Sequence, residues 1–166
     1  VKQHEDIPAI IERMASELRE RIAVTERTVM VGIHTGGVWV AKALHEKLAI
    51  SVPLGVLDIS FYRDDFTRIG MNPQVKPSEL PFTVDGRDII LVDDVLHTGR
   101  TVRAAMNELF DYGRPASIVL ATLVERSGRE LPIEARVVGL HMELAPHEHV
   151  KLTGPAPLRL ELQTSA

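Results

Sequence analysis

The run Ile89-Ile90-Leu91-Val92-Asp93-Asp94-Val95-Leu96-His97-Thr98-Gly99-Arg100-Thr101 constrains this chain more than any other part of it. Four apolar residues read as a short strand buried on both faces. Two adjacent carboxylates follow. Then Thr98-Gly99-Arg100-Thr101 opens a helical pattern in which Val102, Ala105, Met106 and Leu109 line one face, ending at Gly113. In an open α/β sheet, ligands bind outside the carboxyl ends of strands. Unpaired amide hydrogens at the helix start, two threonine hydroxyls and the helix dipole all favour an anion there, and Gly99 lets the backbone turn close to it. The loop therefore carries acceptors first and donors last. A sugar phosphate fits that order, its hydroxyls on the carboxylates and its phosphate on the helix start. An isolated Asp-Asp with a threonine N-cap would be an ordinary solvated loop; the complete run is what favours a ligand.

Other phosphate loops do not fit. The chain has no G-x-x-x-x-G-K-[ST], and Gly32, Gly36 and Gly37 are not spaced as G-x-G-x-x-G. An acidic phospho-receiver pocket has no use for Thr-Gly-Arg-Thr.

The rest of the chain reads as alternating strands and helices, and hence as βαβ units with a mostly parallel sheet. Asp6 caps a helix with Pro8 in its first turn, and Ile7, Ile10, Ile11, Met14, Leu18 and Ile22 form its apolar stripe, ending near Arg21. Val29 to Ile33 is a strand, broken by His34-Thr35-Gly36-Gly37. Val40, Ala41, Leu44 and Leu48 mark a second helix, with Trp39 beside them as core or subunit contact. Val52 to Ile59, Ser117 to Val124, Arg136 to Leu140, Val150 to Leu152 and Leu158 to Leu162 are further strands. Residues 62–87 hold Pro73, Pro77, Pro81, Gly70 and Gly86, which exclude a central strand; a connection this long in a compact domain is usually a lid or binding loop.

Composition narrows the functional classes. The 166 residues suggest one domain, 1–166. With 19 Lys+Arg against 23 Asp+Glu the formal charge is −4, which argues against broad nucleic-acid binding. No cysteine is present, so disulfides, thiolate catalysis and Cys-type zinc sites are excluded, and a cytoplasmic location is the expectation. No apolar run is long enough to span a membrane, and the opening residues lack a signal-peptide pattern. His141, Glu143, His147 and His149 invite a metal reading, but Pro146 interrupts any helix that would align them.

The 89–101 run resembles the phosphoribosyl-diphosphate (PRPP) motif of type I phosphoribosyltransferases. Val31-Gly32-Ile33-His34-Thr35-Gly36-Gly37, Ser60-Phe61-Tyr62-Arg63-Asp64-Asp65, Tyr112-Gly113-Arg114-Pro115 and Leu123-Val124-Glu125-Arg126-Ser127-Gly128-Arg129-Glu130-Leu131-Pro132 are each similar to segments of the PyrR family. Those proteins are bifunctional pyrimidine-operon attenuators and uracil phosphoribosyltransferases. The resemblance spans roughly residues 5 to 152.

The resemblance implies a central mostly parallel sheet flanked by helices, a flexible lid loop at about 62–87, and a small hood from the N-terminal and about 125–166 segments. It implies that Asp93 and Asp94 hold the ribose hydroxyls and that Val95, Leu96, His97, Thr98, Gly99, Arg100 and Thr101 wrap the 5′-phosphate. Thr35, Gly36 and Gly37 would receive pyrophosphate, with Arg63 and Arg68 as lid cations and Arg126 and Val150 at nucleotide-contacting positions. The implied reaction takes PRPP and uracil to UMP and pyrophosphate, with Mg²⁺ carried mainly by PRPP. Leader mRNA of a pyrimidine operon would be a partner, through Arg13, Arg19, Arg21 and Arg27, although Glu12, Glu17, Glu20 and Glu26 interleave them as in a solvated, ion-paired helix. A homodimer or homotetramer is expected. The alternatives are a transferase for another base without RNA binding, and an RNA-binding attenuator with vestigial catalysis.

The chain departs from the pattern at several places. Gly36 stands where many members carry arginine. His97 stands where tyrosine is common, either as a rim residue or as a source of pH-dependent phosphate binding. Glu125 and Ser127-Gly128 replace a usual Asp and Gly-His, and residues 140–149 lack the lysines and arginines that RNA phosphates need.

Overall fold

The computed structural model describes residues 6–59 and 78–165. Arg63, Arg68, the Tyr62-Arg63-Asp64-Asp65 segment and most of the expected lid lie outside the described residues. The element order is α1 (Ile7–Arg21), β1 (Thr28–Ile33), α2 (Gly36–Leu48), β2 (Gly55–Leu57), β3 (Asp88–Leu96), α3 (Arg100–Tyr112), β4 (Ser117–Arg126), β5 (Val137–Met142), β6 (Glu148–Thr153) and β7 (Arg159–Thr164).

Each element begins where local chemistry allows it. The Asp6 carboxylate accepts the Ala9 amide at 3.1 Å, satisfying one of the orphan donors at the start of α1. Ile7, Ile11, Met14, Ala15 and Leu18 then bury one face. All six residues of β1 are buried, as befits a strand covered on both sides. The strand expected over Val52–Ile59 is shorter, Gly55–Leu57, and Pro53 cannot donate to a ladder before it.

Among the described residues, five strands form one parallel sheet in the order β2-β1-β3-β4-β5. This order reverses direction between β1 and β3. Right-handed crossovers therefore place the helix after β1 and the helix after β3 on opposite faces. Two cores result. Ile11, Met14 and Leu18 of α1, Val40 and Leu44 of α2, and Leu152 of β6 pack on one face. Val102, Ala105 and Leu109 of α3 pack with Ile89, Leu91 and Leu57 on the other. β6 and β7 form a separate antiparallel pair, with Val150 opposite Leu162. Trp39 packs against the first core, and the Gly154 turn of the β6–β7 pair lies on its ring.

The backbone on either side of residues 60–77 is held together. Val56 and Glu79 exchange two backbone hydrogen bonds of 2.8 Å. The Ser78 hydroxyl accepts the Asp58 amide at 2.9 Å and donates to the Glu108 carboxylate of α3. Burial raises the Glu108 carboxyl above its usual 4.5; the Ser78 hydrogen bond opposes this, and the nearby Asp58 and Asp111 charges add to it. A raised folded-state value means that Glu108 contributes fully below pH 4.5 and loses that contribution as pH rises through the folded value. Glu108→Gln keeps an acceptor for Ser78. It is expected to raise Tm at pH 7 and to give no gain at pH 4, read by calorimetry at both values.

Candidate functional site

The loops after β1 and β3 meet because those strands are neighbours, with Gly32 opposite Val92 in register. This is the switch point of the sheet, where α2 and α3 depart to opposite faces and leave a crevice between their starts. The peptide between His34 and Thr35 is cis. Thr35 is exposed; Gly36 and Gly37 begin α2 and are buried.

The acidic pair lies against them. Asp93 is buried, 4% exposed, and its Oδ1 accepts the Asp94 amide at 2.8 Å. Asp94 is half-buried, and its Oδ1 accepts the Val95 amide at 2.8 Å. Its Oδ2 lies over Gly36: a Cβ built on Gly36 would stand 2.2 Å from that oxygen. A Cβ on Gly37 would stand 2.8 Å from the Val92 carbonyl oxygen. Both glycines are therefore the contact surface on which the carboxylates and their strand end are seated.

The second half of the site is the start of α3. Gly99 caps it with φ +97°, a conformation that costs glycine little. The Thr98 hydroxyl accepts the Arg100 amide at 3.2 Å, and the first-turn amides have no intrahelical acceptor. Asp93, Asp94, Val95, Leu96, His97, Thr98, Gly99, Arg100 and Thr101 thus form one continuous wall from the strand end to the helix start. Gly36 and Gly37 join it at Asp93 and Asp94, with Thr35 immediately before them at the helix start.

His97 packs its ring against Gly128, where a Cβ would stand 2.8 Å from Nε2. Burial first, then the Arg126 charge, holds its imidazole below the ordinary 6.5; Glu130 opposes this, and His149 and Arg129 add to it. At pH 7 position 97 offers its loop a neutral ring. The unfolded chain takes up this proton at higher pH than the folded one, so stability falls as pH drops below about 6.5. His97→Gln is expected to flatten that part of the profile, seen as a smaller change in urea midpoint between pH 7.5 and 5.

Arg126 is 5% exposed and faces the β6 side. Its guanidinium donates to the carbonyls of Glu148 at 2.7 Å, Ala145 at 3.3 Å and its neighbour Ser127 at 3.1 Å. It thus ties the end of β4 to the β5–β6 connection. Val150 is half-buried on β6 and packs against the first core. A cleft of about 330 Å³ opens at the ends of β4 and β5, lined by Glu125, Arg126, Arg129, His141, Met142 and Glu143 among others. His141 Nδ1 lies 2.9 Å from Glu125 Oε2.

The four arginines expected on an RNA face all have partners within the chain. Arg13 pairs with Glu17 at 2.9 Å, four residues on, and donates to the Gly139 carbonyl. Arg19 donates to the Lys47 carbonyl at 3.3 Å and Arg21 to the Arg136 carbonyl at 2.6 Å. Arg27 pairs with Asp88 at 3.2 Å.

The Arg129-Glu130-Leu131-Pro132 segment carried only a family likeness in the sequence. In the fold it lies directly behind the 97–101 loop, where Arg129 donates to the His97 carbonyl at 2.8 Å. No local pattern points to that contact, since it joins the β3–α3 loop to the β4–β5 connection.

Comparison with known proteins agrees with this architecture. The family model described as the phosphoribosyl transferase domain matches residues 1–152. The chain is 64% identical over 162 residues to the bifunctional protein PyrR of Nitrosococcus oceani, covering 95% of this chain and 92% of that protein. It is 56% identical to the bifunctional protein PyrR of Pseudomonas fluorescens, covering 95% of each. Among solved structures, a hypoxanthine-guanine phosphoribosyltransferase of Bacillus anthracis superposes with a TM-score of 0.67 at 19% identity, covering 87% of this chain and 81% of that one. A hypoxanthine phosphoribosyltransferase of Staphylococcus aureus gives 0.64 at 23%, covering 90% and 80%. These two likenesses establish the fold.

Proposed function

This chain belongs to the phosphoribosyl transferase domain family and, within it, to the bifunctional PyrR proteins, and we propose that it transfers ribose 5-phosphate from PRPP to uracil. The observation that carries this reading is the meeting of two loops at one switch point: an acidic pair continuing into a helix start, and a glycine pair seated on the acids.

In this reading the carboxylates of Asp93 and Asp94 hold the ribose hydroxyls. The amides and hydroxyls of residues 97–101 hold the 5′-phosphate, and the backbone at Thr35–Gly37 receives the diphosphate. The ring nitrogen of uracil attacks the anomeric carbon as the bond to pyrophosphate breaks, and the proton on that nitrogen passes to solvent. Positive charge builds on the ribose ring, and Asp94 stabilises it by Coulomb attraction. Positioning and electrostatics supply the rate, with no covalent intermediate.

The donor set fits a hard cation such as Mg²⁺ carried on the substrate, since the crevice presents carboxylate oxygens. Among the described residues no group of three or more His, Asp or Glu could hold an ion unaided. When bound on the diphosphate, Mg²⁺ neutralises the leaving group.

The test is a screen of PRPP turnover against uracil, orotate, adenine, guanine and hypoxanthine, with and without Mg²⁺. Turnover with uracil and formation of UMP and pyrophosphate is the expected result. Turnover restricted to a purine overturns the substrate assignment, and none with any base overturns the transferase reading.

The second activity of this reading is binding of the leader mRNA of a pyrimidine operon. The kinship to proteins named bifunctional supports it. Arg13, Arg19, Arg21 and Arg27 are already shared with intrachain acceptors, so few of them are left to meet phosphates, and affinity is expected to be weak with a shallow salt dependence; tight binding with a steep salt slope would support the regulator. A titration of leader RNA at several salt concentrations tests this; absence of binding at low salt leaves the transferase alone. No helix among the described residues is long and apolar enough to cross a membrane.

A further inference from the structure

The phosphate loop is held from behind by residues 129–131. Arg129 engages all three of its side-chain nitrogens: Nε to the His97 carbonyl at 2.8 Å, Nη1 to the Ile133 carbonyl at 2.6 Å, and Nη2 to Glu125 Oε1 at 2.8 Å. The amides of Glu130 and Leu131 both donate to the Thr98 carbonyl, at 3.0 and 3.1 Å. Glu125 is itself oriented by His141 on its other oxygen.

A trans peptide is planar, with its C=O and N–H pointing in opposite directions. A donor that fixes the carbonyl of residue 97 therefore fixes the amide of residue 98, and fixing the carbonyl of 98 fixes the amide of 99. The partners of both carbonyls lie on the 129–131 segment, so both amides are turned away from it. Without Arg129, the His97–Thr98 peptide is free to rotate and to present a carbonyl dipole where an anion must sit.

We propose that Arg129 is a positioning residue for the 5′-phosphate of the ribosyl substrate: its hydrogen bond to the His97 carbonyl aims the Thr98 amide into the anion site. This rests on the phosphoribosyl reading above. Glu125 holds the fork of Arg129 in register, so the same device reaches from the β4–β5 cleft to the phosphate loop.

The test measures affinity for UMP and for uridine, which lacks the phosphate, together with KM for PRPP and kcat. Arg129→Gln is expected to weaken UMP binding and raise KM for PRPP by about tenfold or more, the range of a charge-assisted hydrogen bond, while uridine binding and kcat change less than about threefold. Arg129→Lys keeps the charge but not the fork, and is expected to share most of the loss. Glu125→Gln keeps an acceptor and is expected to show a smaller loss in the same direction. Added guanidinium is expected to restore part of the activity of Arg129→Gln.

Arg129→Lys equal to wild type, or UMP and uridine affinities falling together, overturns the proposal. If Arg129→Gln does not fold, Arg129→Lys and Glu125→Gln decide by the same comparison. Wild-type protein that binds neither PRPP nor UMP overturns the phosphoribosyl reading itself. Wild-type protein that binds UMP no better than Arg129→Lys does overturns only the role given to Arg129.

Discussion

Asp94→Asn is expected to lower kcat/KM for PRPP by on the order of a hundredfold while leaving the fold intact. The size follows from Coulomb attraction: a carboxylate about 5 Å from the developing ribose charge, at an effective dielectric of about 20, contributes about 3 kcal/mol. The preserved fold follows from the local geometry. Asp94 Oδ1 accepts the Val95 amide at 2.8 Å, and the amide oxygen of asparagine accepts the same bond. The variant therefore removes charge with little change in shape. Steady-state kinetics with PRPP and uracil, alongside a thermal melt, separate the two effects. Normal turnover would exclude a charge-based role for Asp94.

Gly36→Ala is expected to cost at least as much activity as Asp94→Asn, through the same group. The added methyl would fall 2.2 Å from Asp94 Oδ2 and 2.8 Å from its Cγ, distances at which one side must move. The Asp94 carboxylate is the movable side, so it leaves the place proposed for it beside the ribose. Coupled sites do not add. In an Asp94→Ala background the space opposite Gly36 is vacated, and Gly36→Ala is expected to cost less than about threefold further. Activity of the two single variants and the double variant gives the cycle. Additive losses would mean that Gly36 and Asp94 act separately. Any side chain at position 36 brings the same Cβ and so the same conflict with Asp94. In this chain Gly36 is more than a missing cation; it is the surface on which Asp94 rests.

The parallel sheet and the strand–loop–helix unit were legible because they are periodic and local. Val29 to Ile33 and Ile89 to Val92 are continuous apolar runs, and both became central strands buried on both faces. Asp6 and Gly113 mark helix ends by chemistry within one turn. The strand expected over Val52–Ile59 was overextended, because apolar content alone does not register a proline without a donor. The three backbone carbonyls that hold the Arg126 guanidinium, two of them about twenty residues further along the chain, have no mark in the local sequence pattern.

The chain's own order of residues determined what the loop after β3 presents: acids, then a glycine turn, then the amides of a helix start, all within thirteen contiguous positions. Contiguous residues share one backbone path, so their order fixes what they can offer a ligand. Only the tertiary structure decided what stands against that loop, Gly36 in front of Asp94 and Arg129 behind His97. Those contacts join segments far apart in the chain, and they exist because the strand order places β3 between β1 and β4.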